Sequence, residues 1–395
     1  MADHHQAVEL QFRDVSKQYP GSEQPVIEHL SFDVPAGEIC VLVGPSGCGK
    51  TTAMRMVNRM IDITGGDILL GGESVNAKSP AELRRTIGYA IQQIGLFPHL
   101  TIADNISTVP KLLGWKKDRM RARVDELLEL VSLDPDETRD RYPAQLSGGM
   151  RQRVGVARAL AADPPLMLMD EPFGAIDPIN RERLQNEFLR LQADIKKTII
   201  FVTHDIDEAI KMGDKVAVLK KGGILAQYAS PPELLMAPAD QFVEDFVGAD
   251  RALKRLSLQR VRDIDLWKAA LVKVGDPVAE VRAKVADADV AIPLLVDDAN
   301  RPVGWLSEGG LRADRVLRHL RSPAEPIVEL DDILRDALSD LLASETRYAP
   351  VINSNGAVIG VLSLEVISHV LQDHSAAAAA IRQEESGAYA AAPAQ

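Results

Sequence analysis

Short apolar runs alternate with amphipathic segments along the first 248 residues of the chain. Four of these runs have the length and composition of buried strands: Ile39–Val43, Leu166–Met169, Thr198–Val202 and Lys215–Leu219. A different spacing relates Leu184, Phe188 and Leu191, which follow the i, i+4, i+7 pattern of one helix face. Strands that alternate with helices are typical of an α/β domain with a mainly parallel sheet. The pattern therefore predicts such a domain over residues 8–248.

The stretch between about residues 96 and 162 departs from this alternation. Its pattern is mostly helical, with a long charged helix predicted over Lys116–Val131 and a second helix over Met150–Ala161. Few strand-like runs interrupt these helices. We therefore expect a helical insertion between the two halves of the α/β domain.

The pattern changes again after Gly248. Residues 249–265 are charged, and we expect them to link two domains. Two similar segments follow at an offset of 56 residues, Leu294–Ser307 (LLVDDANRPVGWLS) and Pro350–Ser363 (PVINSNGAVIGVLS). Each has a strand–turn–strand pattern and precedes a predicted helix, over Gly310–Leu320 and Leu364–Gln372 respectively.

These two segments predict an internal duplication. The alternative is a chance similarity between two hairpins. We place the first repeat at residues 266–320, where the pattern is the more degenerate, and the second at residues 321–373. Residues 374–395 are rich in alanine and have no core pattern, so we expect a disordered tail.

Composition and charge restrict the possible functions. The net charge of −12 argues against general nucleic-acid binding, which requires a basic surface. No apolar run approaches the roughly 18 residues of a spanning helix, and Met1–Leu10 lacks the apolar core of a secretory signal. Cys40 lies in a predicted buried strand and Cys48 in a glycine-rich loop, so no disulfide framework is indicated. These features favour the cytoplasm.

A glycine-rich loop follows the first predicted buried strand and precedes a segment, from Thr52 to Met60, that can continue as a helix. The loop fits the pattern G-x-x-x-x-G-K-[ST] and consists of Gly44, Pro45, Ser46, Gly47, Cys48, Gly49, Lys50 and Thr51. Its glycines would let backbone N–H groups close on phosphate oxygens, and the helix N-terminus adds positive potential. Lys50 would reach the β and γ phosphates, and the Thr51 hydroxyl would hold Mg²⁺. The alternative is a glycine-rich turn that matches by chance, which the flanking strand and helix disfavour.

Two further segments complete the chemistry of a phosphate-loop ATPase. The strand Leu166–Met169 ends in Asp170, which would hold the Mg²⁺ shell, and Glu171, which would polarise the attacking water as a general base. Ser147, Gly148 and Gly149 open a predicted helix and form a second helix N-terminus suited to an anion. A single ATP does not require two cradles, so we expect two chains packed head to tail, each closing the ATP of the other.

These motifs resemble those of the ATP-binding subunits of ABC (ATP-binding cassette) transporters. Leu146–Met150 is similar to the family signature LSGGQ, although Met150 replaces the usual glutamine and puts one polar contact in doubt. Gln92, six residues before Pro98, matches the glutamine that contacts Mg²⁺ and the water, and its neighbour Gln93 is the alternative. The resemblance implies that this glutamine loop also responds to the membrane subunit.

Three other residues gain roles from the same resemblance. His204, in Thr203-His204-Asp205, matches the switch histidine that contacts the γ-phosphate. Asp177, in Gly174-Ala175-Ile176-Asp177, matches the loop that crosses the dimer interface, and Tyr19 matches the aromatic that stacks on adenine. The implied nucleotide contacts are then Tyr19, the loop Gly44–Thr51 with Thr52, Ser147–Gly149 and Asp177.

The resemblance also narrows the type of transporter. The chain carries one cassette and no spanning run, which favours a separate ATPase serving separate permease subunits. The stretches QQIGLFPHL and VPKLLGW resemble bacterial importers of quaternary-ammonium osmoprotectants such as glycine betaine, choline, carnitine and proline betaine. Two further possibilities are an importer of another solute class, such as amino acids or sulfonates, and a soluble ATPase without a transport role.

The carboxy-terminal duplication resembles a tandem cystathionine-β-synthase (CBS) pair, which osmoprotectant ATPases carry in this position. Such pairs bind adenine nucleotides through an acid three residues after a Ser or Thr. Here Ser307 is followed by Gly310, and Ser363 by Val366, so simple AMP or ATP binding is not expected. A cyclic dinucleotide or direct sensing of ionic strength remains open, as does a pair that only dimerises.

The resemblance implies a complete architecture. Residues 1–248 would form an α/β phosphate-loop cassette with a RecA-like core and a helical subdomain, followed by the linker and an α+β tandem CBS domain. The subunit would form a homodimer that binds ATP and Mg²⁺ at the cytoplasmic face of the membrane. It would dock on transmembrane permease subunits and serve a substrate-binding protein indirectly.

Overall fold

The chain divides into two compact units. A computed structural model describes residues 6–91, 95–174, 176–307, 314–316, 320–344 and 347–371. The first unit extends to Leu234 and includes Pro238–Val247, whereas the second takes Leu235–Ala237 and the chain from Gly248 onwards. The Ala-rich segment 374–395 lies outside the described residues.

The strands of the first unit form two sheets. In chain order they are Leu10–Lys17 (β1), Ile27–Val34 (β2), Ile39–Val43 (β3), Gly65–Leu70 (β4), Glu73–Ser74 (β5), Ile87–Ile91 (β6), Leu166–Asp170 (β7), Thr198–Val202 (β8), Lys215–Lys220 (β9) and Ile224–Ala229 (β10). A four-stranded antiparallel sheet has the order β2-β1-β4-β5, and a six-stranded sheet has the order β10-β9-β3-β8-β7-β6. All neighbours in the larger sheet run parallel except the edge strand β10.

The larger sheet confirms the predicted α/β fold and its buried strands. β3 and β8 match their predicted bounds, and β7 and β9 each extend one residue further. Every residue of β3 and β8 is buried, because strands at the centre of a parallel sheet are covered on both faces. Between the two sheets, β1 and β2 contribute to one core with β3, β7 and β8.

Helices connect these strands in chain order. They are Lys50–Val57 (α1), Pro80–Thr86 (α2), Ile102–Ile106 (α3), Thr108–Leu112 (α4), Lys117–Leu130 (α5), Pro135–Thr138 (α6), Gly148–Leu160 (α7), Pro178–Ile195 (α8), Ile206–Met212 (α9), Pro231–Met236 (α10) and Gln241–Val247 (α11). The segment from α3 to α7 is the predicted helical insertion. Among the described residues, no helix combines the length and the apolar content needed to cross a bilayer.

Two helices differ from the prediction, and a capping residue explains the difference in α7. α7 begins at Gly148, two residues earlier than predicted, because the Ser147 side chain accepts a hydrogen bond from the Met150 N–H. α1 begins at Lys50 rather than Thr52 and ends at Val57 rather than Met60. α8 buries Leu184, Phe188 and Leu191 on one face, as their spacing predicts.

The second unit contains two small sheets and four helices among the described residues. In chain order its elements are Arg251–Leu256 (α12), Leu271–Val272 (β11), Val278–Ala286 (α13), Leu294–Val296 (β12), Pro302–Leu306 (β13), Leu320–Pro323 (β14), Val328–Glu329 (β15), Leu334–Ala343 (α14), Tyr348–Ile352 (β16), Val358–Ser363 (β17) and a helix over residues 364–371 (α15). The sheet orders are β11-β12-β13-β14 and β15-β16-β17.

The two repeats share a plan and interlock. The first residues of α13 and α14, Val278 and Leu334, are separated by the same 56 positions as the two hairpins. Trp267, which precedes the first repeat's strands, exchanges two backbone hydrogen bonds with Val361 of β17 at 3.0 and 2.8 Å. One hydrophobic cluster combines Trp305 from the first repeat with Val361 from the second.

The structure differs from the expected segment boundaries in three places. The expected linker 249–265 contains α12. Its residues Leu256 and Val261 are fully buried in the core of the second unit. The expectation missed them because charged residues surround these few apolar positions. The repeat boundary between residues 320 and 321 falls inside β14, which pairs with β13. The predicted helix Gly310–Leu320 lies mostly outside the described residues, and Leu320 itself begins a strand.

Candidate active site

Three segments with polar side chains meet at the carboxyl edge of the larger sheet. Gly44–Thr51 follows β3, Asp170 ends β7, and His204 lies two residues after β8. The register places Leu42 opposite Val202, and Val202 opposite Asp170, so the three strands end at the same level. Ligands of open α/β sheets bind at this edge, which makes it the candidate site.

The loop Gly44–Thr51 depends on glycine at two tightly packed positions. Gly44 has φ +151°, and a Cβ there would lie 2.3 Å from the Leu219 carbonyl oxygen. Gly49 has φ +105°, and its Cβ would approach the Val26 carbonyl oxygen to 3.0 Å. Gly49 is also the N-cap of α1 and has no side chain to bond the first N–H groups of the helix. The cap therefore leaves these donors available to a ligand, as at phosphate-binding helix N-termini.

The Lys50 side chain folds back over this loop. Its Nζ donates to the Gly44 oxygen at 2.6 Å and to the Pro45 oxygen at 3.0 Å, and it lies 3.7 Å from the Cys48 Sγ. Lys50 is only 7% exposed, so its ammonium group contacts the loop rather than solvent. Pro45, Ser46 and Gly47 form the exposed rim of the same loop.

Thr51 and Asp170 are brought together from positions 119 residues apart. The Thr51 Oγ1 donates to one Asp170 carboxylate oxygen at 3.1 Å. Burial raises the pKa of the Asp170 carboxyl, while the Thr51 hydrogen bond and the Arg55 charge act in the opposite direction. A hydroxyl and a carboxylate oxygen at this spacing suit Mg²⁺, which takes one or two protein oxygens together with phosphate oxygens.

Two residues that sequence reasoning did not identify border this pair. An Arg55 Nη2 lies 4.0 Å from the second Asp170 oxygen, and the Arg55 guanidinium opposes the rise that burial causes in the pKa of the Tyr89 hydroxyl. Arg55 follows Thr51 by four residues on α1, so the helix period places both on one face. The four-residue spacing from Thr51 could have identified Arg55 from the sequence. Tyr89 lies on β6, and no spacing in the sequence relates it to Thr51.

Glu171 and His204 form the second pair of the site. The His204 Nδ1 lies 3.0 Å from the Glu171 Oε1. Because an ionised carboxylate only accepts, the Nδ1 carries the proton in this bond. Glu171 adopts φ +45°, which is unusual for a residue with a side chain, and its backbone N–H donates to the Val202 oxygen at 2.9 Å. This strained residue directly follows β7 and holds a carboxylate that contacts His204.

Ser147, Gly148 and Gly149 lie at a separate cleft of the same unit. A cavity of about 370 Å³ is lined by these residues and by Ile176, Asp177 and neighbours on α8. Asp177 is the N-cap of α8, and its bonds to Asn180 hold the pKa of its carboxyl below the usual range. Among the described lining residues none belongs to Gly44–Thr51. The structure thus groups the signature segment with the Asp177 loop and not with the phosphate loop of the same chain.

The remaining predicted site residues lie at the periphery or outside the described chain. Tyr19 follows β1 and is 39% exposed, with the Lys17 Nζ 5.0 Å from its ring centroid. Thr52 is on α1, half-buried. Gln92, with its alternative Gln93, lies outside the described residues, although β6 ends at Ile91 beside Asp170.

Comparisons with known proteins identify relatives of the chain. The sequence profile of the family described as ABC transporter matches residues 27–174. The osmoprotectant import ATP-binding protein OsmV of Salmonella typhimurium is 44% identical over 92% of this chain and 96% of its own length. The glycine betaine/carnitine/choline transport ATP-binding protein OpuCA of Bacillus subtilis is 42% identical with the same coverage. The choline transport ATP-binding protein OpuBA of that species is 41% identical.

Solved structures resemble part of the chain. The ATP-binding cassette MJ0796, in a dimeric post-hydrolysis state bound to ADP and phosphate, is 29% identical with a TM-score of 0.50. It covers 56% of this chain and 98% of its own. CbiO1 from Clostridium perfringens, part of an ABC transporter complex, has a TM-score of 0.55 at 24% identity and covers 63% of this chain and 94% of its own, which supports the fold alone.

Proposed function

The chain belongs to the ATP-binding subunits of ABC transporters, and we propose that it powers the import of quaternary-ammonium osmoprotectants. The observation that carries this proposal is the 44% identity to OsmV over 92% of the chain, which extends well beyond the cassette into the second unit. Relatives named for glycine betaine, carnitine and choline transport cover the chain to the same extent. The solute itself would be selected by the binding and permease subunits.

ATP binds in the loop Gly44–Thr51. The Lys50 ammonium group, now held by two loop carbonyl oxygens, supplies the charge for the β and γ phosphates. Thr51 and Asp170 would hold Mg²⁺, which neutralises charge on the phosphate oxygens. Tyr19 would provide the stacking surface for adenine, with the Lys17 charge near its ring.

Hydrolysis would depend on Glu171 and His204. Glu171 acts as the general base that takes a proton from the attacking water, and the 3.0 Å bond from His204 fixes its orientation. With the Nδ1 committed to Glu171, the His204 Nε2 is the ring atom that can address the γ-phosphate. Phosphoryl transfer leaves little covalent work to the protein, so positioning and charge account for most of the effect.

A second copy of the chain would complete each site. The cleft of Ser147, Gly148 and Gly149 is lined by α7 and α8 and contains the N-terminus of α7, a position suited to an anion. In a head-to-tail dimer this cleft would close on the ATP held by the partner's phosphate loop. Asp177 and the 84%-exposed Ile179, two residues beyond it, would lie at the contact.

Permease subunits would dock on a groove next to β6. The groove has a volume of about 260 Å³ and is lined by Met60, Tyr89, Phe97 and Val109, among others. Met60 and Phe97 are 50% and 42% exposed, which is typical of apolar side chains that a partner covers. Docking there would hold the subunit at the cytoplasmic face of the membrane, and the groove adjoins the strand that leads to Gln92.

The second unit would regulate this cycle as a tandem CBS pair. Its Ser363 hydroxyl is buried and accepts a hydrogen bond from the Val366 N–H, so it caps α15 and does not offer the usual nucleotide contact. This favours a signal other than simple AMP or ATP, either a cyclic dinucleotide or ionic strength.

The substitution Glu171→Gln tests the proposed hydrolysis. The variant should bind ATP but turn it over at least about a hundredfold more slowly, since a general base typically contributes that much. In the presence of ATP it should elute from a sizing column as a dimer. Glu182→Gln, an isosteric change at an exposed position of α8, is the matched control and should behave as the wild type.

Normal turnover by the Glu171→Gln variant would contradict the proposed hydrolysis, because it would remove Glu171 from the chemistry. Purification from native membranes distinguishes a transport subunit from a soluble ATPase, since only the transport subunit should retain a spanning permease. Labelled glycine betaine and a labelled amino acid, supplied to cells that contain the whole transporter, then distinguish the two solute classes. Uptake of the amino acid alone would contradict the osmoprotectant assignment.

A further inference from the structure

A buried carboxylate lies directly behind the segment that carries His204. Glu208 is in the first turn of α9 and is 8% exposed. Burial raises the pKa of its carboxyl, and hydrogen bonds from Thr203 and Gln185 oppose that effect. A buried carboxylate is costly unless it is hydrogen-bonded. No step of the proposed hydrolysis requires Glu208, so its position calls for another explanation.

One side of Glu208 is tied to the turn that presents His204. The Glu208 N–H donates to the Asp205 Oδ1 at 3.3 Å, and the Asp205 N–H donates to the Thr203 hydroxyl at 3.1 Å. The Thr203 N–H donates to the Leu42 oxygen of β3 at 3.2 Å, next to the start of the phosphate loop. The two neighbours of His204 are therefore held by a network that ends at Glu208.

The other side of Glu208 is tied to α8. The Gln185 Nε2 donates to the Glu208 Oε1 at 3.0 Å, and Gln185 is 5% exposed. One turn earlier on α8, the Arg181 charge attracts the Glu208 carboxylate. The Arg181 Nη2 in turn donates to the Ile176 oxygen at 2.9 Å, one residue before Asp177.

These contacts form a short route between two parts of the site. It starts at the His204 turn, passes through Glu208 to α8, and reaches the Asp177 loop. Buried hydrogen-bonded networks resist local rearrangement, so a displacement of the His204 turn is passed on as a displacement of α8. Asp177 lies on the cleft that the proposed function assigns to the second copy.

We propose that Glu208 is a positioning residue that couples His204 at one ATP to the Ile176–Asp177 loop facing the second copy. This inference rests on the proposed dimer. It assigns Glu208 no contact with the nucleotide. The coupling through Glu208 makes the two ATP sites of the dimer depend on each other.

The test measures ATP hydrolysis by the full chain as a function of ATP concentration. Glu208→Gln keeps the side-chain volume and one acceptor oxygen for Gln185, but it replaces the other oxygen with an NH2 group and removes the charge that attracts Arg181. We expect a wild-type Hill coefficient above one, a coefficient close to one for the variant, and turnover reduced about fivefold. Asp207→Asn removes the same charge from an exposed neighbour on α9 and should keep the wild-type coefficient.

A second variant keeps the test decisive if the first folds poorly. Gln185→Met breaks the same route from the α8 side and should also bring the Hill coefficient close to one. The double variant should be no worse than either single variant, because both changes interrupt one route. Loss of thermal stability with an unchanged Hill coefficient in both variants would overturn the proposal, since it would indicate a purely structural role.

Different results would contradict the coupling through Glu208 and the proposed function. A wild type that hydrolyses ATP without cooperativity would overturn the coupling but leave the transport ATPase intact. A wild type without ATPase activity, or without an ATP-dependent Glu171→Gln dimer, would instead contradict the proposed function.

Discussion

Single residues of the site are constrained in two different ways. Gly44 is required by the fold, because its φ of +151° and the nearby Leu219 oxygen leave no room for a Cβ. Gly148 has an ordinary backbone, and a Cβ there would meet no atom within 4 Å. Its lack of a side chain therefore matters only if something outside the chain approaches it.

Alanine substitutions should separate these two constraints. Gly44→Ala should lower the free energy of unfolding by about 2–4 kcal/mol through strain and overpacking. Gly148→Ala should leave stability unchanged or raise it by up to about 1 kcal/mol, since alanine favours a helix. Its ATPase activity should nevertheless fall, because the new methyl group meets the partner's ATP. Urea unfolding and turnover measurements check both, and normal activity of Gly148→Ala would exclude that approach.

At the residue scale, motif spacing predicts some contacts and misses others. It predicts that Thr51 and Asp170 belong to one site, and the structure places their side chains 3.1 Å apart. It gives no role to Glu208, because a glutamate in the first turn of a helix normally faces solvent. Only the packing of α8 over α9 buries Glu208 against Gln185.

At the scale of elements, side-chain caps decide where several helices begin. Ser147, Asp177 and Asp205 cap α7, α8 and α9, and each lies next to or within a segment of the site. Caps recur because the first N–H groups of a helix have no partner inside the helix. The same residues that position the site therefore also start the helices that carry it.

The first turn of α3 gives a pH-dependent prediction. Asp104 bonds Lys111 at 2.5 Å and Thr101 at 3.1 Å, and the Lys111 bond, the larger cause, lowers the pKa of its carboxyl below the usual 3.8. A depressed folded-state pKa means that the stabilisation is present above about pH 4 and is lost as the pH falls through the lower value. It should amount to less than about 1 kcal/mol, because the pair is largely exposed and screened.

Asp104→Asn is the matching experiment. The variant should be slightly less stable than the wild type at pH 6 and equally stable near pH 2, as measured by urea unfolding. High salt should reduce the difference at pH 6. A difference that persists at low pH would indicate that the Asp104 charge is not its cause.

At the scale of the whole molecule, buried side chains determine where the first unit ends, and the charged composition of residues 249–265 does not. Leu256 and Val261 lie in the segment expected to be a linker, yet both are fully buried with Val328, Leu334 and Leu341. A cut at the apparent end of the linker would therefore divide a hydrophobic core. The two repeats are likewise joined, since Trp267 pairs with Val361.

Two truncated chains test this boundary. Residues 1–248 should fold and hydrolyse ATP without any response to salt or cyclic dinucleotide. Residues 1–265 expose Leu256 and Val261, each of which stabilises the fold by about 1.5–3 kcal/mol when buried, and should aggregate or bind a hydrophobic dye. Equal solubility of the two chains would contradict the assignment of residues 249–265 to the second unit. A salt response retained by residues 1–248 would contradict the regulatory role of that unit.

The sequence by itself determined the α/β class, the buried strands, the phosphate loop and the repeat offset of 56 residues. These features are local, since each depends on the spacing and chemistry of neighbouring residues. The tertiary structure alone decided that Arg55 and Tyr89 border Asp170, that Glu208 joins the His204 turn to α8, and that residues 249–265 belong to a core. Those contacts join segments far apart in the chain, and periodicity carries no information about which distant faces pack together.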